Sequence, residues 1–228
     1  MPDVRESWRT ERINAAVYDA GVEREQVARV LGRLMWGTDT RRLFDAITAL
    51  GDLPDGTAVL DIPCGGGLAF RGLRPGQRLR YVAADISPYM LERAKARADR
   101  SGVDGIELTE ADVFSLPFDD VTFDLCVSFN GLHCLPEQRP ALAEIARVLK
   151  PGGELRGTAV VHGEGARHDA IIRLFRRISA FGETTTPDRL HALLGDAGFE
   201  NVQLDLSGAL AHFQARKPPT TSGEAAPG

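Results

Sequence analysis

The sequence predicts an α/β fold: a doubly wound sheet of seven mostly parallel strands, helices on both faces, and a helical cap at the N-terminus. Three observations carry this reading. Apolar runs of strand length alternate with amphipathic stretches of helix length through the middle of the chain. One run, FDLCVSFNGL, is apolar almost throughout, as expected of a strand buried on both faces. Two further strand-like segments, NVQLDLSG and ALAHFQAR, close the pattern. The domain reading is a cap over 1–50, a sheet domain over 51–217, and a disordered tail over 218–228.

Taken in order, residues 4 to about 50 read as helices, with apolar residues at helical spacing in VARVLGRLMW and RRLFDAITAL. GDLPDG is a turn cluster that ends this region. TAVLDI is the first strand and Leu68–Leu73 a short helix. RLRYVAADI is the second strand. The helix PYMLERAKARADRSG follows, opened by Ser87 as cap and Pro88 at its first position. IELTEAD is the third strand and FDLCVSFNGL the fourth. PEQRPALAEIARVLKPGG is a helix with a Pro-Gly-Gly stop, and GELRGTAVV is the fifth strand. The helices HDAIIRLFRRISAF and TPDRLHALLGDAGF precede the last two strands. In the former, Ile171, Leu174, Phe175 and Ile178 form the expected buried stripe, and its arginines fall on a solvated face. The tail KPPTTSGEAAPG is small, polar and rich in proline and glycine.

Composition excludes several classes. The chain has 228 residues and a net charge of −5, with 24 arginines against 3 lysines scattered along it, so it has no electrostatic footprint for nucleic acid. The N-terminus is charged and lacks the apolar core of a signal peptide. No apolar run approaches the ~20 residues that span a bilayer. Cys64, Cys126 and Cys134 read as reduced thiols of a cytoplasmic protein, and their spacing fits no zinc pattern. No metal is expected, and the oligomeric state is unreadable.

The stretch VLDIPCGGG carries the chemistry. It lies at the carboxyl end of the first strand, where ligands bind in an open parallel sheet. The dinucleotide fingerprint needs a third glycine, but Phe70 stands there after Gly65 and Gly67. A phosphate loop needs a Lys and a Ser/Thr, whereas this turn continues LAFRG. The glycines still let backbone approach a ligand closely. Asp61 before the turn suggests a guest with positive charge or N–H donors. Asp85 ends the second strand, placed to accept ribose hydroxyls. Asp112, in TEADVFSLPF, is placed to read an amino-purine.

Adenine, ribose and a cationic amino-acid portion together describe S-adenosylmethionine. VLDIPCGGG, AADIS, EADVFSLPF, FDLCVSFNGLHCL and ARVLKPGGEL, in this order, resemble the motifs of the class I S-adenosylmethionine-dependent methyltransferases. The resemblance is to the subgroup that includes the ubiquinone/menaquinone-biosynthesis type, and it covers residues 55 to 160 well. It implies a Rossmann-like sheet and a set of cofactor contacts. Gly65 and Gly67 would let backbone pass the methionine and ribose, flanked by Pro63 and Cys64, while Asp61 would hold the amino group. Asp85 would bind the ribose hydroxyls. Ile86 would pack on the adenine, Asp112 would bind the adenine amine with the Val113 amide nearby, and Met90 is a further expected cofactor contact. Phe129 and Asn130 would lie below the sulfonium. The family usually has glycine where this chain has Pro63, which fixes φ and removes an N–H.

His133 is open to three readings: a general base, a wall of the pocket, or a structural side chain. Tyr18 and Trp36 are either core residues or part of a lid over the site. The activity implied is methyl transfer to a small-molecule acceptor, of the secondary or quinone type, with S-adenosylhomocysteine as product. The acidic pI and the missing Asn/Asp-Pro-Pro-aromatic run stand against macromolecular acceptors. The alternative is a cofactor binder that does not methylate, such as a cofactor-assisted cyclase or a regulatory protein. A nucleotide-dependent oxidoreductase is disfavoured by Phe70.

Overall fold

A computed structural model describes residues 25–220 of the chain. Tyr18, residues 1–24 of the expected cap and the tail beyond residue 220 lie outside the described residues. Seven strands form one sheet: β1 (Ala58–Asp61), β2 (Arg80–Asp85), β3 (Ile106–Glu110), β4 (Phe123–Phe129), β5 (Leu149–Val160), β6 (Glu200–Ser207) and β7 (Leu210–Arg216). Their order is β3-β2-β1-β4-β5-β7-β6. All neighbours pair in parallel except β7, which runs antiparallel to β5 and β6. The expected doubly wound sheet is therefore present. Its order reverses between β1 and β4, which opens a crevice at their carboxyl ends.

Alternation along the strands sends side chains to two cores. Ala58, Leu60, Val82, Ala84 and Cys126 face one side. There they meet α4 (Gln138–Val148) through Leu142 and Ile145, and α6 (Pro187–Asp196) through Leu190, Leu193 and Leu194. Val59, Tyr81, Ala83, Leu125 and Val127 face the other side, beneath Leu50, Phe70 and Ala94. Ala94 belongs to α3 (Pro88–Ser101), which opens as expected. Ser87 Oγ accepts the Met90 N–H at 3.4 Å, Pro88 stands in the first turn, and Gly102 at φ +66° ends the helix.

Three local expectations are corrected. The helix expected through ARVLKPGG ends at Val148, and Leu149 already pairs with Phe123 in the sheet. Pro151 cannot continue a helix, so the chain leaves it early; the register shifts over the Pro-Gly-Gly before Glu154 pairs with Leu125. In α5 (Ala166–Arg177) the buried stripe is displaced by one position. Ile172 is 2% exposed, while Leu174 and Ile178 are 56% and 50% exposed. Phe175 is half-buried and turns toward Trp36 and Phe181. Finally, the third strand stops at Glu110, and Asp112 stands beyond it in a tight turn.

The N-terminal segment around Trp36 and Thr38 meets the β6–β7 hairpin at the edge of the sheet. After α1 (Glu25–Leu31) comes a single π-helical turn, Gly32–Trp36, closed by Gly37 at φ +65°. The Ala209 N–H donates to the Trp36 carbonyl at 2.8 Å, and Thr38 Oγ1 donates to Ser207 Oγ at 2.9 Å. A Cβ at Gly208 would stand 2.1 Å from the Trp36 oxygen, so only glycine admits this approach. Helix α2 (Arg41–Thr48) then buries Leu43 and Ile47.

Candidate functional site

The crevice beyond β1 and β4 holds a cavity, and its floor is the glycine turn. The turn is fixed by backbone hydrogen bonds: Ile62 N–H to the Val127 carbonyl at 3.0 Å, and Cys64 N–H to the Ala84 carbonyl at 2.9 Å. It is thus stitched to both neighbouring strands. The Ile62–Pro63 bond is cis. Pro63 packs on Gly131, where a Cβ would come within 2.5 Å of the ring. Gly65 has φ +52°, and a Cβ there would meet nothing within 4 Å. Its N–H donates to Asp85 Oδ2 at 2.8 Å. Gly65 therefore presents bare backbone to open space, a cradle that a side chain would fill.

Ten of the twelve expected cofactor contacts line this cavity: Pro63, Cys64 and Gly65 from the turn, Asp85, Ile86 and Met90 at the start of α3, and Asp112, Val113, Phe129 and Asn130 on the opposite wall. Asp61 and Gly67 do not. Gly67, at φ +78°, lies against the Phe70 ring, which a Cβ would approach to 2.5 Å. Its small size serves the packing of Phe70, the residue standing where the dinucleotide fingerprint has glycine. Gly66 lines the cavity in its place. Leu68, Ala111, Phe114, Cys134 and Leu135 also line it and were not singled out from the sequence. They are apolar residues in connecting segments, and only the folded chain brings them together.

The acidic residues are held firmly. Asp85 is buried and accepts N–H bonds from Gly65 and, at 2.9 Å, from Ser87. Burial raises its pKa to about 6 against the opposing pull of these N–H groups. Asp112 combines two roles: its Oδ1 accepts the Phe114 N–H at 3.1 Å, closing the turn, while the residue lines the cavity. Asn130 adopts φ +58°, and its Oδ1 accepts the Thr158 hydroxyl at 2.8 Å. No Lys, Arg or His is among the described residues that line the cavity.

His133 is placed elsewhere. It is buried, its Nδ1 accepts the Val160 N–H at 3.1 Å, and its ring stands edge-on to Phe181 at 4.5 Å. Burial lowers its pKa to about 3, so it is neutral at physiological pH. It lies outside the cavity lining. Trp36 also lies outside the lining, 5.8 Å from both Phe175 and Phe181. Among the described residues, no group of three or more His, Cys, Asp or Glu side chains could hold a metal, and no helix is long and apolar enough to cross a membrane.

Comparison with known proteins agrees with this geometry. Residues 60–156 match a family described as a methyltransferase domain. The chain is 34% identical over 117 residues to 27-O-demethylrifamycin SV methyltransferase of Amycolatopsis mediterranei, covering 51% of this chain and 43% of that protein. It is 40% identical over 100 residues to demethylmenaquinone methyltransferase of Clavibacter sepedonicus, covering 44% and 40%. The chain thus spans less than half the length of these two relatives. Among solved structures, phosphoethanolamine N-methyltransferase 2 of Haemonchus contortus, in complex with S-adenosyl-L-methionine, shares the fold. It has a TM-score of 0.72 at 16% identity, over 96% of this chain and 60% of that one. The match over residues 60–156 and the strand order together show a methyltransferase domain with a Rossmann-like sheet.

Proposed function

We propose that the protein transfers a methyl group from S-adenosylmethionine to a small-molecule acceptor. One observation carries the choice of cofactor: a cavity over a bare glycine backbone, lined by two carboxylates and by no basic side chain. Such a site repels phosphates and suits a cationic guest. The residues present fit the group. Asp85 would accept the ribose hydroxyls. Ile86, Met90 and Val113 would enclose the adenine, with Asp112 at its amine. Gly65 would pass the amino-acid portion, and Phe129 and Asn130 would face the sulfonium. When bound, the cofactor supplies an electrophilic methyl on a good leaving group. The chain's own task is then alignment and exclusion of water. The apolar wall formed by Phe129, Leu135 and Pro136 supports that exclusion.

His133 serves in this reading as a core side chain outside the pocket lining rather than as a base. Residues 1–50 are proposed as a cap beside the 51–217 domain, and residues 218–228 as a tail without fixed structure. A cytoplasmic location is proposed on the same footing, with no nucleic-acid or membrane partner. The test is calorimetric titration with S-adenosylmethionine and S-adenosylhomocysteine, followed by detection of S-adenosylhomocysteine release with candidate phenols and quinols. Absence of binding by folded protein overturns the reading. Binding without turnover on any acceptor leaves the non-methylating binder as the function.

A further inference from the structure

The stripe expected to be buried on α5 turns outward at Leu174 and Ile178, and the neighbouring element carries a second exposed stripe. On α1 and its π-helical turn, Val27, Val30, Leu31 and Leu34 recur at i, i+3, i+4 and i+7 and are between 37% and 60% exposed. That spacing is the apolar seam one helix presents to another. The two elements meet: Trp36 packs on Phe175 at 5.8 Å, and a Cβ at Gly37 would stand 3.1 Å from the His168 ring. Six of the eight large apolar side chains exposed among the described residues belong to these two elements. A protein that works alone rarely leaves apolar groups gathered in this way. The charge around them has one dominant sign. Residues 25–36 and 166–178 carry six arginines against Glu25 and Asp169, in a chain of net charge −5. Arg33, Arg173, Arg176 and Arg177 are exposed and form no ion pair among the described residues.

We propose that this face is a docking surface for an acidic amphipathic helix of a partner protein. The apolar side of that helix lies along the α1 seam and against Leu174 and Ile178, and its carboxylates meet the flanking arginines. The seam is narrow, as helix pairing requires. The cations are all arginines, whose planar forks hold carboxylates through paired hydrogen bonds. The same excess of arginine repels a second copy seated face to face. A bilayer fits less well. The aromatic rings that would anchor a protein at a lipid interface, Trp36 and Phe175, are packed here against each other and Phe181. The surface also adjoins the cavity in the crevice. Trp36 and Phe175 pack on the same small core as Cys134, which lines that cavity. A docked partner therefore bears on one wall of the cavity through that core.

The probe is a synthetic helical peptide with leucines at i, i+3, i+4 and i+7 and glutamates on its other faces. It carries a fluorophore, and its anisotropy is followed as the full chain is added. One control peptide keeps the leucines and replaces the glutamates by lysines; another keeps the composition in scrambled order. Vesicles of phosphatidylcholine and phosphatidylglycerol are titrated alongside. The acidic striped peptide should bind at least about tenfold more tightly than either control. Its affinity should fall with added salt, since exposed charges are screened beyond about 10 Å at 0.1 M. Leu34→Gln with Leu174→Gln, and separately Arg173→Glu with Arg176→Glu, should each weaken binding about tenfold. Both pairs should leave Tm within about 2 °C of wild type, because exposed side chains contribute little to folding. No binding of the acidic peptide overturns the proposal, as does equal binding of either control peptide. Tighter binding to the vesicles than to the peptide replaces the helix by a bilayer. Sedimentation as a dimer that the leucine pair abolishes puts a second copy on the face. A marked fall in Tm for both pairs shows that the chain covers the face itself, and overturns the proposal too.

Discussion

Replacing Gly65 by valine tests the turn that organises the site. The backbone there has φ +52°, and the added side chain would project into open space within the cavity. Two effects separate cleanly. The first is strain: a left-handed backbone costs a non-glycine residue about 1–2 kcal/mol, which lowers Tm by roughly 2–8 °C in a chain of this size. The sheet survives, because its apolar strands lie outside the turn and the Gly65 N–H bond to Asp85 does not need a glycine. The second effect is steric, since the valine fills the space the ligand requires. The assay is thermal unfolding with and without S-adenosylhomocysteine at about a hundred times the wild-type Kd. Wild type should gain about 2.7 kcal/mol from mass action, or roughly 5–11 °C, and Gly65→Val none. Gly76→Val supplies the control. Gly76 has φ +81° and open surroundings but lies outside the cavity, so it should show the strain and keep the ligand response. A Gly65→Val protein stabilised as much as wild type refutes the reasoning.

Four further outcomes are expected. Asp85→Ala should weaken S-adenosylhomocysteine binding by about 10- to 150-fold in calorimetry, since hydrogen bonds to a charged group contribute roughly 1.5–3 kcal/mol each; an unchanged Kd would show that the ribose lies elsewhere. The free protein should lose stability as pH rises from about 6.5 to 8; below that, His133, whose folded pKa is about 3, opposes the two aspartates. Asp61 and Asp85 bind protons more tightly folded, with pKa values of about 8 and about 6, than at the ordinary unfolded value near 3.9. Asp61→Asn should raise Tm at pH 9 by removing a buried charge worth several kcal/mol, and a Tm that falls instead would mean the carboxylate is stabilising. Trp36→Ala should lower Tm through loss of its contacts with Phe175 and Phe181 while leaving the S-adenosylhomocysteine Kd within about twofold; a large change in Kd would restore Trp36 to the lid.

Much of the site was legible because the residues that make it sit at strand ends. Chain order alone places Gly65, Asp85 and Asp112 one strand apart along the crevice, since consecutive βαβ units advance the sheet by one strand. The lining residues that escaped notice, such as Leu68, Ala111 and Leu135, carry no chemical signature. Their apolar side chains look the same whether they enter a core or line a cavity. Gly67 shows the converse: a glycine inside the expected motif whose conformation answers to the Phe70 ring rather than to a ligand.

The amino-acid sequence by itself determined the architecture and the ligand chemistry of this protein. Hydrophobic period, turn residues and caps are local properties, and they survive reading one residue after another. Tertiary structure alone decided the allocation of roles. Whether Leu174 or Ile172 faces inward depends on the phase at which α5 meets Trp36 and Phe181. His133 became a neutral core side chain because β5 offers it the Val160 N–H and Phe181 closes over it. Asp61 was set behind the turn by Tyr81, twenty positions along the chain. Burial and hydrogen-bond partners are properties of surroundings contributed by distant segments, and they fix protonation states that no stretch of sequence encodes locally.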